Sequence, residues 1–310
     1  MRVLLQFPEG LKQYALSYAD RLEREGEEVF ISASPTYGAC DLAIDEAKSI
    51  RADKLIHFGH NEFNKVDFNV EFVEYRIDAP LEILDESLEH LKGFHRIGIV
   101  TTVQHLHQLK DVSDFYTSRG FDVVIGKPFG FAKARGQILG CDVGSAARID
   151  REVDAFVYFG GGRFHPIGAV MNTTKPFLLI EPFEKLVEFI DSYRERYRRA
   201  SKGKVLSSLN AKSAGILVST KNGQFNMNVA QLLKKKAEAA GMSAQILVSN
   251  TFDFEAINNM MGFDIFVNTA CPRIAIDDVD RTIKPILSPN ELIDMLRMRA
   301  ELSQTQLSKQ

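Results

Sequence analysis

The sequence has few cysteines, no dominant charge and no long apolar run, and each lack excludes a class of protein. Three cysteines in 310 residues are too few for a disulfide framework. The formal net charge of -3 gives no overall positive field, so we expect neither a nucleic acid nor a membrane as a partner. No stretch reaches the roughly 18 apolar residues that a transmembrane helix needs, and no apolar leader follows Met1. We therefore expect a cytoplasmic protein with reduced thiols.

Short β-branched apolar runs alternate with segments of helical period along the chain, which is typical of parallel sheets with crossover helices. Three cycles of the same order begin near Arg2, Arg96 and Gly215 and indicate an internal triplication. The predicted fold class is α/β, with three tandem pseudo-repeated domains that each contain a small, mainly parallel sheet flanked by helices. The predicted domains are 1–90 with Cys40, 91–203 with Cys141, and 204–310 with Cys271 and a C-terminal tail.

Each cysteine lies in a loop beyond the carboxyl end of a predicted strand, where open α/β sheets bind their ligands. If the domains meet with these ends facing inward, three thiols that are distant in sequence can converge. A structural zinc site usually takes four ligands with closely spaced cysteine pairs, and the sequence has no such pair. Three thiolates suit a 4Fe-4S cluster with one iron open to a substrate atom. The alternative is a non-catalytic binding module with three packed, inert thiols.

Two polar loops are further candidates for ligand binding. Gly160, Gly161 and Gly162 follow a predicted strand, and backbone N–H groups at glycine can approach an anionic or ribose group closely. A tight turn is an equally good explanation of these glycines. The loop that ends at Gln224 leads into a helix, whose amino end can bind a carboxylate.

Four histidines divide into two groups. His57 lies within a predicted strand and is interpreted as a core residue, whereas His60 follows that strand and could reach the same cleft as the cysteines. His105 and His107 are two residues apart on a predicted helix, so they point in different directions and make a poor metal pair. Both are interpreted as surface residues.

Taken in order, six short motifs resemble those of the archaeal diphthamide-synthesis enzymes, the 2-(3-amino-3-carboxypropyl)histidine synthases. They are Tyr37-Gly-Ala-Cys40, His57-Phe-Gly-His60, Gln137-Ile-Leu-Gly-Cys141, Gly160-Gly-Gly-Arg-Phe-His165, Ser219-Thr-Lys-Asn-Gly-Gln224 and Ala270-Cys-Pro-Arg273. The resemblance spans roughly residues 1 to 300.

The resemblance implies a homodimer in which Cys40, Cys141 and Cys271 of each protomer hold one 4Fe-4S cluster. It implies a transferase of noncanonical radical type, with S-adenosylmethionine as co-substrate and translation elongation factor 2 as protein substrate. The 3-amino-3-carboxypropyl group would move to a histidine of the factor, as the first step of diphthamide synthesis, and an electron donor would reduce the cluster.

The positions of the polar loops in this framework predict contacts with S-adenosylmethionine. Gly160, Gly161, Gly162 and Gln224 are assigned to that cofactor, and Arg273 is assigned to a carboxylate because its planar fork matches one. A competing hypothesis is a quinolinate synthase-like condensing enzyme, which resembles the chain in having three α/β domains and one cysteine from each around a 4Fe-4S cluster.

Overall fold

The structure is a computed structural model that describes residues 1–274 and 281–307. Three β-sheets follow one another along the chain, and helices pack against them. The predicted fold class, α/β with small, mainly parallel sheets flanked by helices, is confirmed. Among the described residues, no helix combines the length and apolar character needed to cross a membrane.

The first sheet has the strand order β2-β1-β3-β4, and its strands are all parallel. Its strands are β1 (Arg2–Gln6), β2 (Glu28–Ile31), β3 (Lys54–Phe58) and β4 (Val70–Val73). A 3-10 helix (Glu9–Tyr14), α1 (Ala15–Arg24) and α2 (Ile44–Ser49) connect them. The central strands β1 and β3 are apolar on both faces, because helices or loops cover each side of the sheet.

The second sheet repeats this order and adds one strand, giving β6-β5-β7-β8-β9. Its strands are β5 (Arg96–Thr101), β6 (Asp122–Val124), β7 (Ala155–Phe159), β8 (Phe177–Glu181) and β9 (Leu186–Phe189). Its helices are α3 (Leu84–His90), a 3-10 helix (Val103–Gln108), α4 (Leu109–Thr117), α5 (Gly144–Ala147) and α6 (Phe164–Asn172). Strand β9 pairs antiparallel with β8 and was not predicted.

The third sheet has the order β11-β10-β12-β13 and is parallel throughout. Its strands are β10 (Ser213–Ser219), β11 (Ser243–Ser249), β12 (Ile265–Asn268) and β13 (Ile286–Leu287). The helices of this part are α7 (Ser192–Ser207), α8 (Met227–Ala239), α9 (Phe254–Asn258) and α10 (Pro289–Leu307).

All three sheets share one topology, in which the first strand lies between the second and the third. The chain leaves the first and third strands toward opposite sides of the sheet, so a crevice opens between their carboxyl ends. Contacts divide the chain into two compact units, Met1–Arg194 with the first two sheets and a second unit from Glu195 onward with the third. The three-domain division at 1–90, 91–203 and 204–310 stays a prediction.

Candidate active site in the strand-end loops

The loop that carries Cys40 is shaped by a buried glutamine at the end of β1. The Gln6 side-chain amide donates to the carbonyl of Asp41 at 2.6 Å and to Thr36 Oγ1 at 3.3 Å. Its Oε1 accepts from the backbone N–H of Ala43 at 3.1 Å. Gln6 thereby holds the loop on both sides of Cys40, which is half-buried. A polar residue at the end of an otherwise apolar strand was the available sequence signal for this role.

Gln6 also determines the protonation pattern of two histidines. Because Gln6 Oε1 can only accept, Nδ1 of His57 is the donor in their 2.8 Å hydrogen bond. Nε2 of His57 therefore carries the lone pair and accepts from Nδ1 of His60, 3.0 Å away, which also lies 3.2 Å from the carbonyl of Phe58. This leaves Nε2 of His60 without a proton, and among the described residues no group donates to it. The core interpretation of His57 is confirmed, since its side chain is fully buried.

Burial keeps both imidazoles neutral. It lowers the pKa of His57 to about 3, with a smaller contribution from the neighbouring His60, and it also lowers the pKa of His60. A Cβ placed on Gly38 would lie 3.7 Å from Nε2 of His60 and 3.9 Å from Sγ of Cys40. The unprotonated nitrogen of His60 and the thiol of Cys40 therefore face the same small space beside Gly38, as the interpretation of His60 anticipated.

The loop that carries Cys141 is organised around Gln137. Its Oε1 accepts from the backbone N–H groups of Lys133 and Ala134 at 2.9 and 3.0 Å, while its own carbonyl accepts from the Ser145 hydroxyl at 2.6 Å. Gln137 also pairs with Thr101 in a parallel bridge at the end of β5. These contacts place the exposed Cys141 beyond the carboxyl edge of the second sheet.

Close backbone packing seats the residue before Cys141 on α6. A Cβ on Gly168 of that helix would lie 2.6 Å from the carbonyl oxygen of Gly140, which no real side chain tolerates without movement. Glycine at position 168 therefore allows the Cys141 loop to lie directly on the helix.

The Cys40 and Cys141 loops are linked within the first unit through the segment that follows β3. His60 borders Cys40, and the next residue, Asn61, accepts a 2.8 Å hydrogen bond from Nε2 of Gln137. The rings of Phe63 and Phe131 also stack, at a centroid distance of 3.8 Å. The residues 57–63 therefore contact the loops of both cysteines, and the part of Asn61 in this link was missed in the sequence.

The glycine loop after β7 lies at the crevice of the second sheet. A Cβ on Gly160 would lie 3.0 Å from the hydroxyl of the buried Tyr158 and 3.1 Å from the ring of His105, so a side chain there would crowd both groups. Gly161 accepts a hydrogen bond from the Tyr158 hydroxyl through its carbonyl at 3.1 Å. Burial raises the pKa of Tyr158, which keeps the phenol protonated as a donor.

The surface interpretation of His105 is wrong. Its side chain is buried against Phe159, and its Nδ1 donates to the carbonyl of Ile77 at 3.1 Å. Residues 103–108 form a 3-10 helix, which turns His105 toward the sheet and leaves His107 half-exposed beside Asp78.

The second unit brings its three predicted site residues to one edge of the third sheet. Asn268, at the end of β12, donates to the carbonyl of the half-buried Cys271 at 2.8 Å. The side chain of Asn226 donates to the carbonyl of Thr269 at 2.8 Å and to that of Gln224 at 3.3 Å, which joins the two loops. Gln224 is buried, and so is Arg273, two residues beyond Cys271.

A buried lysine in the same place was not singled out in the sequence. Lys221 lies in the loop after β10, and its ammonium donates to the side-chain carbonyl of Asn250 at 3.3 Å. Lysine is seldom fully buried. At the strand ends its ammonium adds a positive charge to this edge of the sheet.

The chemistry of the three cysteine side chains fits the ligands of an iron-sulfur cluster. The cysteines form no disulfide, and all three lie in strand-end loops within the described residues. In the same residues, no three His, Cys, Asp or Glu side chains come together around one ion. Soft thiolates are the ligands that iron-sulfur clusters take.

Comparisons with known proteins agree with the motifs. A family model described as a putative diphthamide synthesis protein matches residues 7–306. The chain is 34% identical to 2-(3-amino-3-carboxypropyl)histidine synthase of Pyrococcus horikoshii, over 97% of this chain and 87% of the relative. It is 31% identical to subunit 1 of the Homo sapiens enzyme of that name, over 96% of this chain and 68% of the relative.

A solved structure agrees as well. The crystal structure of Dph2 from Pyrococcus horikoshii with a 4Fe-4S cluster superposes with a TM-score of 0.88 at 34% identity, over 96% of this chain and 86% of that one. These matches confirm the resemblance predicted from the motifs. The chain belongs to the diphthamide synthesis family.

Proposed function

We propose that this protein is a 2-(3-amino-3-carboxypropyl)histidine synthase, the transferase of the first step of diphthamide synthesis. The observation that carries the proposal is family membership over residues 7–306, together with a cysteine in three separate strand-end loops. The relatives bear the name of this activity, which favours it over the quinolinate synthase-like alternative.

In the proposed reaction, S-adenosylmethionine is the donor and a histidine of translation elongation factor 2 is the acceptor. The bond between the sulfonium sulfur and the γ-carbon breaks, and 5′-methylthioadenosine leaves. The 3-amino-3-carboxypropyl fragment bonds to carbon 2 of the imidazole in place of its hydrogen, which leaves as a proton while the electron taken up at the carbon–sulfur bond is given back, so the net transfer is redox-neutral. When bound, a reduced 4Fe-4S cluster supplies the electron that breaks the carbon–sulfur bond.

Cys40, Cys141 and Cys271 are the proposed ligands of that cluster. The hydrogen bond between Asn61 and Gln137 supports this for the first two, because it ties their loops together. The neutral His60 beside Cys40 brings no positive charge to the thiolate and presents only an acceptor nitrogen.

The chain's part in the reaction is to bind and orient the co-substrate. We assign Gly160, Gly161 and Gly162 to contacts with S-adenosylmethionine, since these glycines follow β7 and carry no side chain that would cover the backbone N–H groups of the loop. Gln224 is assigned to the same co-substrate, and the guanidinium of Arg273 to its carboxylate. A cytoplasmic homodimer and an external electron donor complete the proposal.

The experiment uses anaerobically purified full-length protein, carboxyl-labelled S-adenosylmethionine and elongation factor 2. We expect a spin-resonance signal of a reduced 4Fe-4S cluster and transfer of label to the factor. Changing Cys40, Cys141 or Cys271 to Ala should remove both the signal and the transfer. A cluster without transfer would refute the activity, and an unchanged cluster in any one variant would refute that cysteine as a ligand.

A further inference from the structure

A buried carboxylate lies beside the glycine loop and has no role in the site described so far. Glu181 is the last residue of β8, and its side chain is 4% exposed. Its Oε2 accepts a hydrogen bond from the backbone N–H of Glu184. Within the part of the chain that the structure describes, no group donates to Oε1. Oε1 is not fully buried and so keeps contact with solvent.

The position of Glu181 is that of a ligand-binding residue in an open α/β sheet. Strand β5 leads to β6 on one side and β7 leads to β8 on the other, so the crevice of the second sheet lies between the ends of β5 and β7. The loop 160–162 follows β7 and borders this crevice. Glu181 ends β8, the strand that pairs with β7.

The immediate surroundings combine three features that suit a nucleoside. A Cβ on Gly161 would lie 3.5 Å from Oε1 of Glu181 and 3.9 Å from Cδ2 of Phe183. The bare backbone of Gly161 therefore lies directly beside the carboxylate, with no side chain between them. Phe183 is 49% exposed, which leaves part of its ring available to a planar base. A carboxylate at a strand end beside a glycine loop is a common acceptor for ribose hydroxyl groups.

We propose that Glu181 accepts a hydrogen bond from a ribose hydroxyl of S-adenosylmethionine, with Gly161 and Phe183 beside the nucleoside. The inference rests on the proposed function and extends it to the nucleoside part of the co-substrate, which the carboxyl edge of the second sheet would recognise. The same contact would hold 5′-methylthioadenosine, the nucleoside product, which lacks the amino-acid portion.

The test measures equilibrium binding of S-adenosylmethionine and 5′-methylthioadenosine to full-length protein by calorimetry, without turnover. Glu181→Gln keeps the shape and replaces the charged acceptor. We expect about a tenfold to hundredfold loss of affinity for both ligands, since a hydrogen bond to a charged group is lost. Glu184→Gln is the matched control, because that side chain is exposed on the same turn, and its affinities should equal those of the wild type.

A second variant tests the inference independently, in case Glu181→Gln does not fold. Gly161→Ala adds a methyl group in ordinary contact with Oε1, in a backbone conformation that alanine tolerates, so it should fold and still weaken both ligands. Unchanged binding in both variants refutes the inference alone. Weaker binding of S-adenosylmethionine with unchanged binding of 5′-methylthioadenosine also refutes it, because the contact would then be to the amino-acid portion. Failure of the wild type to bind either ligand refutes the inference and the proposed function together.

Discussion

His57 should make the stability of this protein fall in mild acid, and His57→Gln should remove that effect. The imidazole is fully buried between Gln6 and His60, and its burial lowers its pKa from 6.5 to about 3. The unfolded chain therefore binds a proton at this residue below pH 6.5, while the folded chain does not. The corresponding stability is fully present above pH 6.5 and is lost as the pH falls toward 3.

The size of the effect follows from the two pKa values. Each unit between them corresponds to about 1.4 kcal/mol, so His57 alone should cost about 2 kcal/mol of unfolding free energy between pH 6.5 and pH 4.5. His60, whose pKa is also lowered by burial, adds to the loss with the same sign.

Urea unfolding at both pH values measures this loss in the wild type, in His57→Gln and in a control, His95→Gln, whose histidine is exposed. The variant at position 57 should lose about 2 kcal/mol less than the wild type on acidification, and the control should follow the wild type. The Cε1 resonance of His57 should not titrate above pH 4. Equal losses in the wild type and His57→Gln, or a midpoint near 6.5 for this resonance, would refute the reasoning.

Two further predictions concern the Cys141 loop. Gly168→Ala, which would place a Cβ 2.6 Å from the Gly140 carbonyl, should destabilise the protein by about 1–3 kcal/mol and reduce bound iron. Thermal melts measure the stability of this variant and of a control, Gly203→Ala on an exposed part of α7, where no atom lies near the new Cβ. The control should be neutral or stabilising, and equal effects of the two changes would contradict the packing argument. Gln137→Ala removes the hydrogen bonds that the side chain accepts from two backbone N–H groups and the one that it donates to Asn61. Hydrogen exchange in residues 131–138 should therefore accelerate about a hundredfold. Gln137→Glu, which keeps the two acceptor bonds, should accelerate it much less, and exchange unchanged in both would exclude Gln137 as the anchor.

The strands most accurately predicted from sequence were those buried on both faces. Lys54–Phe58, Ala155–Phe159 and Ile265–Asn268 are short apolar runs that end at turns, which is the pattern that predicts buried parallel strands. Strand β9 escaped prediction because it is a half-exposed edge strand, and its pairing with β8 depends on the turn between them.

For the candidate site, the sequence indicated the cysteine loops, the glycine loop and the loop of Gln224. It could not indicate Asn61, because the partner of that side chain, Gln137, is far away in the chain. The error at His105 has the same origin, since the carbonyl of Ile77 that binds its ring comes from a distant segment.

The sequence alone determined the α/β class, the family and the presence of three soft thiols in loops, because apolar period, turn residues and short motifs are local properties of the chain. Tertiary structure decided which side chains share a space. It brought His60 beside Cys40, joined Asn61 to Gln137 and left a buried carboxylate at Glu181 next to bare glycine backbone. Burial, tautomer and pKa depend on neighbours from distant segments, so they can be determined only from the folded structure.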